Sequence, residues 1–157
     1  MAALGCGRQV AVSDREGGKA MEIETQLLYS GPGQGPPGVI AIASRQAWDA
    51  LGERLTEGLR AKLEPDLAWG SRVILVVTGP QEGAIGGSPR VARCARVEDR
   101  VEIEVVVDPG SEGGGPAPQM AHHPFVVISA PADAFAGAGS VVASWSGVAV
   151  GKGEVQR

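Results

Sequence analysis

The hydrophobic pattern of the chain centres on one apolar run and on two alternating segments that follow it. Residues 73–77 are apolar at every position, which is typical of a central strand that is buried on both faces. Residues 91–97 and 101–107 alternate between apolar and polar positions on either side of a polar turn. This pattern predicts an antiparallel hairpin, in which a short turn places Arg96 opposite Glu102 on a solvated face.

A second periodicity predicts one helix. Between positions 45 and 63, apolar residues recur at steps of three and four and form a single stripe, namely Trp48, Leu51, Leu55 and Leu59. Ser44 stands where an N-cap residue belongs, and Pro65 ends the pattern. We therefore expect an amphipathic helix over about residues 45–63 that covers one face of the sheet.

The remaining apolar segments are short strands separated by loops rich in glycine and proline. Strand patterns occupy residues 22–29, 39–43, 125–128 and 141–150, whereas residues 31–38, 78–88 and 108–119 are typical of loops. The predicted fold class is α+β, with a mainly antiparallel β-sheet covered by one amphipathic helix. Residues 1–21 are interpreted as a flexible N-terminal arm and residues 22–157 as a single β-rich domain.

Composition and charge exclude several classes of partner. The 157 residues include 24 Gly and 11 Pro, which cluster in the loop segments, and the aliphatic content suffices for a core without metals or disulfides. The formal net charge of −4 argues against nucleic acid as a partner, because phosphate binding requires clustered Lys and Arg. No window of about 18 apolar residues exists, so no transmembrane segment is expected.

The polar residues form no recognisable catalytic, cofactor or metal motif. The glycines of residues 79–87 are followed by Pro89 and a strand pattern, whereas phosphate-binding loops require a helix directly after the glycines. His122 and His123 are adjacent, so in a strand they point to opposite faces and do not share a metal ion. We therefore predict a protein that is not an enzyme and has no cofactor. A hydrolase whose site is not recognisable from sequence stays open as an alternative.

The two cysteines suggest different environments. Cys94 lies in a strand pattern and is interpreted as a small buried apolar residue. Cys6 follows Ala3-Leu4-Gly5, which is similar to the end of a bacterial lipoprotein signal and makes Cys6 a candidate lipid anchor. The charged and long apolar regions of such a signal do not precede it, so a chance match is the alternative.

The order of these features resembles the C-terminal domain of the PrcB-type family, bacterial accessory proteins associated with a surface protease complex. The resemblance covers roughly residues 39–135 and rests on short motifs. These are a strand followed by a helix with a tryptophan (residues 43–48), the central apolar strand (73–79), a Gly-Gly turn (85–88), an arginine-rich strand (91–97) and a proline-aromatic strand (123–128). Ser88 stands where the family has a tyrosine, so no role of that aromatic is carried over to this chain.

The resemblance implies a non-enzymatic module, outside the cytoplasm or at the cell surface, that binds and stabilises a protein partner such as a protease. Loops on a rigid sheet are suited to such contacts. The candidate contact regions are the loops of residues 79–88 and 108–124. The candidate partner-binding residues within them are Ile85, Gly86, Gly87, Ser88, His123 and Pro124. A self-assembling structural protein, in which edge strands pair between copies and form a homo-oligomer, is a further alternative.

Overall fold

The computed structural model describes residues 20–33, 36–51, 57–63, 68–80, 87–109 and 123–156. Most of these residues lie in β-strands, and the helices are short. The strands, in chain order, are β1 (Ala20–Glu22), β2 (Gln26–Gly33), β3 (Gly38–Ile42), β4 (Arg72–Thr78), β5 (Gly87–Val97), β6 (Arg100–Pro109), β7 (His123–Pro131), β8 (Ser140–Trp145), β9 (Val148–Gly153) and β10 (Val155–Gln156). The helices are α1 (Arg45–Asp49) and α2 (Glu57–Leu63), and a 3-10 turn spans Ala132–Phe135.

The strands form two five-stranded sheets. The first sheet has the order β1-β5-β6-β8-β9 and the second has the order β10-β3-β4-β7-β2. Both sheets are mixed, because β8 runs parallel to β6 and β10 runs parallel to β3. The α+β class holds broadly. The chain forms two mixed sheets instead of one sheet, and six of the eight described strand pairs are antiparallel. The parallel pair β6–β8 arises because the chain visits the second sheet through β7 before it returns.

The two sheets pack face to face around the main core. Apolar side chains from both sheets fill this layer, including Leu75, Val77, Ile128, Val101, Ile103, Val105, Val141 and Trp145. The opposite face of the second sheet carries a separate cluster under the helices, formed by Ile42, Trp48, Leu51, Leu63, Ile74, Val76, Phe125 and Val127. The apolar run of residues 73–77 is thus buried on both faces, as its pattern predicts.

The helical region contains two short described helices. The Ser44 hydroxyl accepts a hydrogen bond from the Ala47 N–H at 3.1 Å, so Ser44 is the N-cap of α1 as expected. Trp48 is 1% exposed and packs with Leu51 on the second sheet. Helix α1 ends at Asp49 with Ala50 as its C-cap, and Leu51 also lies in a turn, so the helix predicted over residues 45–63 is interrupted there. Residues 52–56 lie outside the described residues. Neither of the two described helices is long and apolar enough to span a membrane.

Two chain segments pass from one sheet to the other and cover opposite sides of the sandwich. On one side, β1 pairs with β5 and the chain continues directly into β2, which pairs with β7. On the other side, β9 pairs with β8 and continues into β10, which pairs with β3. Residues 20 and 21, which the sequence assigned to a flexible arm, therefore belong to a strand. Residues 1–19, with Cys6, lie outside the described part of the chain.

The β5–β6 hairpin differs by one residue from the predicted register. Its turn contains two residues, because Val97 pairs directly with Arg100. The predicted pairing of Arg96 with Glu102 is therefore wrong, since Glu102 lies opposite Ala95. A register shift at residue 92 displaces the earlier part of β5 by one further position.

Candidate functional site

The glycine- and proline-rich segments start and finish at one end of the two-sheet sandwich, which we call the loop end. In the second sheet, Gly38 pairs with Thr78, and Gly33 pairs with His123. In the first sheet, Gly87 pairs with Pro109, and the β8–β9 turn formed by Ser146 and Gly147 follows Trp145. The described residues that flank segments 34–35, 81–86 and 110–122 therefore all lie at this end.

The loop end is held together by Gly79, which directly follows β4. The Gly79 N–H donates a hydrogen bond of 2.8 Å to the Pro124 carbonyl, which extends the ladder between β4 and β7. The Gly79 carbonyl lies 3.1 Å from the His123 Nδ1, so a His123 tautomer that is protonated at Nδ1 donates to it. These two contacts fix the start of β7 beside the end of β4.

Gly79 also joins the two sheets. A Cβ atom at position 79 would lie 2.5 Å from the indole ring of Trp145, which comes from β8 in the other sheet and is 2% exposed. Only a residue without a side chain allows this approach. The Ser146 N–H donates a 2.8 Å hydrogen bond to the Val105 carbonyl and ties the β8–β9 turn to β6. The platform beneath the loops is therefore rigid and built from both sheets.

The candidate partner-binding residues fall into three groups. Gly87 and Ser88 open β5 at the loop end, opposite Pro109 and Asp108. His123 is half-buried and Pro124 is buried, so Pro124 belongs to the platform and not to its exposed rim. Ile85 and Gly86 lie outside the described residues. Sequence reasoning placed Gly79 in a candidate contact loop but missed its contact with Trp145, although a glycine directly after a buried strand is a signal of close approach.

The described hydroxyl groups do not assemble a catalytic dyad with histidine. His123 is the one histidine within the described ranges, and its Nδ1 faces the Gly79 carbonyl. Ser129 accepts a hydrogen bond of 2.9 Å from Arg72 and lies six residues further along β7, about 20 Å away at the usual strand rise. No group of three His, Cys, Asp or Glu side chains that could hold a metal ion occurs in the part of the chain that the structure describes.

The outer face of the first sheet carries an ion-pair network. Arg93 lies 3.2 Å from Glu22 and 3.8 Å from Glu102, and Glu102 also pairs with Arg100 at 2.6 Å. These are partly exposed pairs, each contributing about 0–1 kcal/mol. Arg96 does not belong to this face, because its guanidinium donates to backbone carbonyls at the other end of the sandwich. This face is solvated and charged, as its alternation predicts.

Cys94 is buried in the main core, as expected for a strand residue. Burial in apolar surroundings raises the pKa of its thiol to about 12, and the nearby Glu22 carboxylate acts in the same direction. The thiol therefore stays protonated at neutral pH. Cys94 is a packing residue and not a nucleophile.

Comparison of the chain with family models, with curated proteins and with solved structures finds no match. The resemblance to the PrcB-type family therefore stays a prediction that rests on the residues quoted above.

Proposed function

We propose that this protein is a non-enzymatic protein-interaction domain whose partner contacts the loop end. The supporting observation is that glycine- and proline-rich segments that are far apart in sequence start and finish at one end of a rigid two-sheet platform. Loops that are positioned in this way by a scaffold commonly carry binding functions.

The chemistry of the platform favours binding over catalysis. His123 is held by a backbone carbonyl, and no described hydroxyl bonds to its ring. The exposed residues at the described part of the loop end include Pro80, Ser146, Gly147 and Val148, which are small or apolar groups that suit shape recognition of a protein surface. The family resemblance supports a more specific proposal. In it, the partner is a protein such as a protease, and the two meet outside the cytoplasm or at the cell surface.

The test is co-purification of the tagged full chain from its native host after cross-linking. Three proteins are compared, namely the wild type, a variant in which residues 111–119 are replaced by Gly and Ser at equal length, and Glu104→Lys on the outer face of the first sheet. We expect the wild type and Glu104→Lys to recover the same partner, and the loop variant to recover about fivefold less.

Two results would contradict the proposal. One is the absence of any reproducible partner, and the other is equal recovery by the loop variant. The hydrolase alternative is tested separately with an activity-based fluorophosphonate probe. Labelling of the folded wild type that disappears on denaturation would replace the binding proposal by an enzymatic one.

A further inference from the structure

A groove lies at the end of the sandwich opposite to the loop end. It has a volume of about 460 Å³ and separates β1 from the 3-10 turn Ala132–Phe135. Met21 and Ile23 line one wall, and Pro131 and Ala134 line the other. The groove lies where the chain passes from β1 in the first sheet to β2 in the second sheet, whose first pair with β7 is Gln26–Ser129.

One wall of this groove is also the edge of a sheet. The Ile23 N–H donates a 2.8 Å hydrogen bond to the Cys94 carbonyl on β5. Because backbone groups alternate in direction along a strand, the N–H and C=O of Glu22 point away from β5. Among the described strands β1 pairs with β5 alone, so these groups lie on the edge of the sheet that the described residues leave open. An extended segment can therefore add beside β1 by main-chain hydrogen bonds.

The groove presents an exposed apolar side chain at this edge. Met21 is 62% exposed, although it lies in a strand and its neighbour Ile23 is 9% exposed. An unbranched thioether side chain adapts to different apolar partners. A segment added beside β1 would place every second side chain toward the groove, where Met21 and Ala134 can contact it.

The rim of the groove selects the charge of its occupant. The carboxylates of Glu24 and Asp133 line it, and both residues are exposed. Glu22 is engaged by Arg93 at 3.2 Å on the outer face. The Arg96 guanidinium donates to the carbonyls of Glu98, Ala134 and Ala136, and within the described residues it forms no ion pair with either rim carboxylate. The rim therefore favours a cationic partner.

We propose that this groove binds an extended peptide segment in which Lys or Arg residues stand two positions before and two positions after an apolar side chain, so that all three side chains point toward the groove. The segment adds to the first sheet as a strand beside β1. Its apolar side chain enters the groove between Met21 and Ala134, and its cations face Glu24 and Asp133. This site is at the opposite end from the loop end, and so the inference goes beyond the proposed function and does not depend on it.

The test uses the full chain and a labelled peptide, acetyl-Lys-Ser-Leu-Ser-Lys-amide, whose Leu and two Lys side chains share one face of a strand, with fluorescence anisotropy as the readout. We expect saturable binding that weakens as salt is added. The double variant Glu24→Lys/Asp133→Lys should lower the affinity by about tenfold. The matched control Glu104→Lys/Glu154→Lys makes the same change in net charge at exposed positions elsewhere and should stay within about twofold of the wild type.

Strand addition is tested by a second pair of variants. Glu22→Ala and Glu22→Pro both remove the carboxylate, but only proline removes the outward N–H. We expect Glu22→Pro to bind about fivefold more weakly than Glu22→Ala. A peptide that is N-methylated at alternate residues should lose binding to the wild type by a similar factor, which covers the case that Glu22→Pro does not fold.

Three results would overturn the inference. The first is no saturable binding up to about 1 mM peptide. The second is an equal loss of affinity in the two double variants, which would indicate attraction by net charge alone. The third is equal binding of the N-methylated and unmodified peptides, which would exclude a strand beside β1.

Discussion

Gly153 on β9 lies so close to β3 that a Cβ atom at this position would be 2.6 Å from the carbonyl oxygen of Val39. The same strand contains Gly151, where a Cβ atom would be 2.9 Å from the Gly38 Cα. These contacts are between backbones, which cannot move aside as a flexible side chain can. The two glycines therefore allow β9 to cross over β3 before the chain enters the second sheet.

We predict that Gly153→Ala lowers the free energy of unfolding by about 1–3 kcal/mol, because the added methyl group has no space against the Val39 carbonyl. Urea unfolding followed by circular dichroism measures the change. Gly58→Ala is the matched control, since nothing lies within 4 Å of the added Cβ and Gly58 is in α2. That control should raise the stability by about 0.5–1 kcal/mol. Equal effects of the two substitutions would contradict the close crossing.

The contact of Gly79 with Trp145 gives a second prediction. Gly79→Ala should lower the free energy of unfolding by about 1–3 kcal/mol and change the near-ultraviolet circular dichroism of the tryptophans, because the methyl group overlaps the buried indole.

A double-mutant cycle identifies the cause of this effect. In a Trp145→Leu background the ring is absent, so Gly79→Ala should cost at least about 1 kcal/mol less than in the wild type. Additive losses in the double mutant would mean that position 79 is sensitive for a reason other than this contact.

The β5–β6 turn contains local backbone strain. Glu98 has a φ angle of 55°, a left-handed conformation that costs a residue with a Cβ about 1–2 kcal/mol. We predict that Glu98→Gly raises the free energy of unfolding by about 0.5–1 kcal/mol, after the entropy cost of glycine in the unfolded chain is deducted. Asp99 does not share the positive φ, so Asp99→Gly should lower the stability. Thermal unfolding of both variants distinguishes the two directions, and the reverse order would be incompatible with this geometry.

The Cys94 thiol should resist alkylation in the folded protein. Its pKa is raised from the ordinary value of 9.0 to about 12, so its thiolate population at pH 8 falls by about a thousandfold. In a Cys6→Ser background, mass spectrometry should detect iodoacetamide labelling of Cys94 only after denaturation. The unfolded thiol ionises near pH 9 while the folded thiol stays protonated, so the contribution of Cys94 to stability falls as the pH rises from 9 toward 12. Labelling of the native protein at the denatured rate would contradict its burial.

Much of the strand content could be predicted from local pattern. The β4 and β7 segments are continuous apolar runs, and the β5–β6 hairpin alternates around a polar turn, so short-range periodicity suffices to find them. The register of the hairpin could not be predicted, because it depends on whether the turn contains two residues or three. Arg96 was accordingly placed on the solvated face, whereas it donates to the carbonyls of Ala134 and Ala136.

Gly151 and Gly153 follow the last strand pattern of the chain, and their composition alone suggests a frayed end. In the structure these glycines lie against the β3 backbone. Composition alone does not distinguish a glycine that loosens a chain from one that allows close approach, since both are selected for the missing side chain.

The sequence by itself determined that residues 73–77 are central, that Ser44 caps a helix and that Cys94 is buried, because each of these follows from neighbours along the chain. Only the tertiary structure decided that there are two mixed sheets, that the glycine-rich segments share one end and that a groove opens beside Met21. These features depend on which strand pairs with which across long separations in sequence. That choice is made by the packing of whole sheets and leaves no local periodic signal.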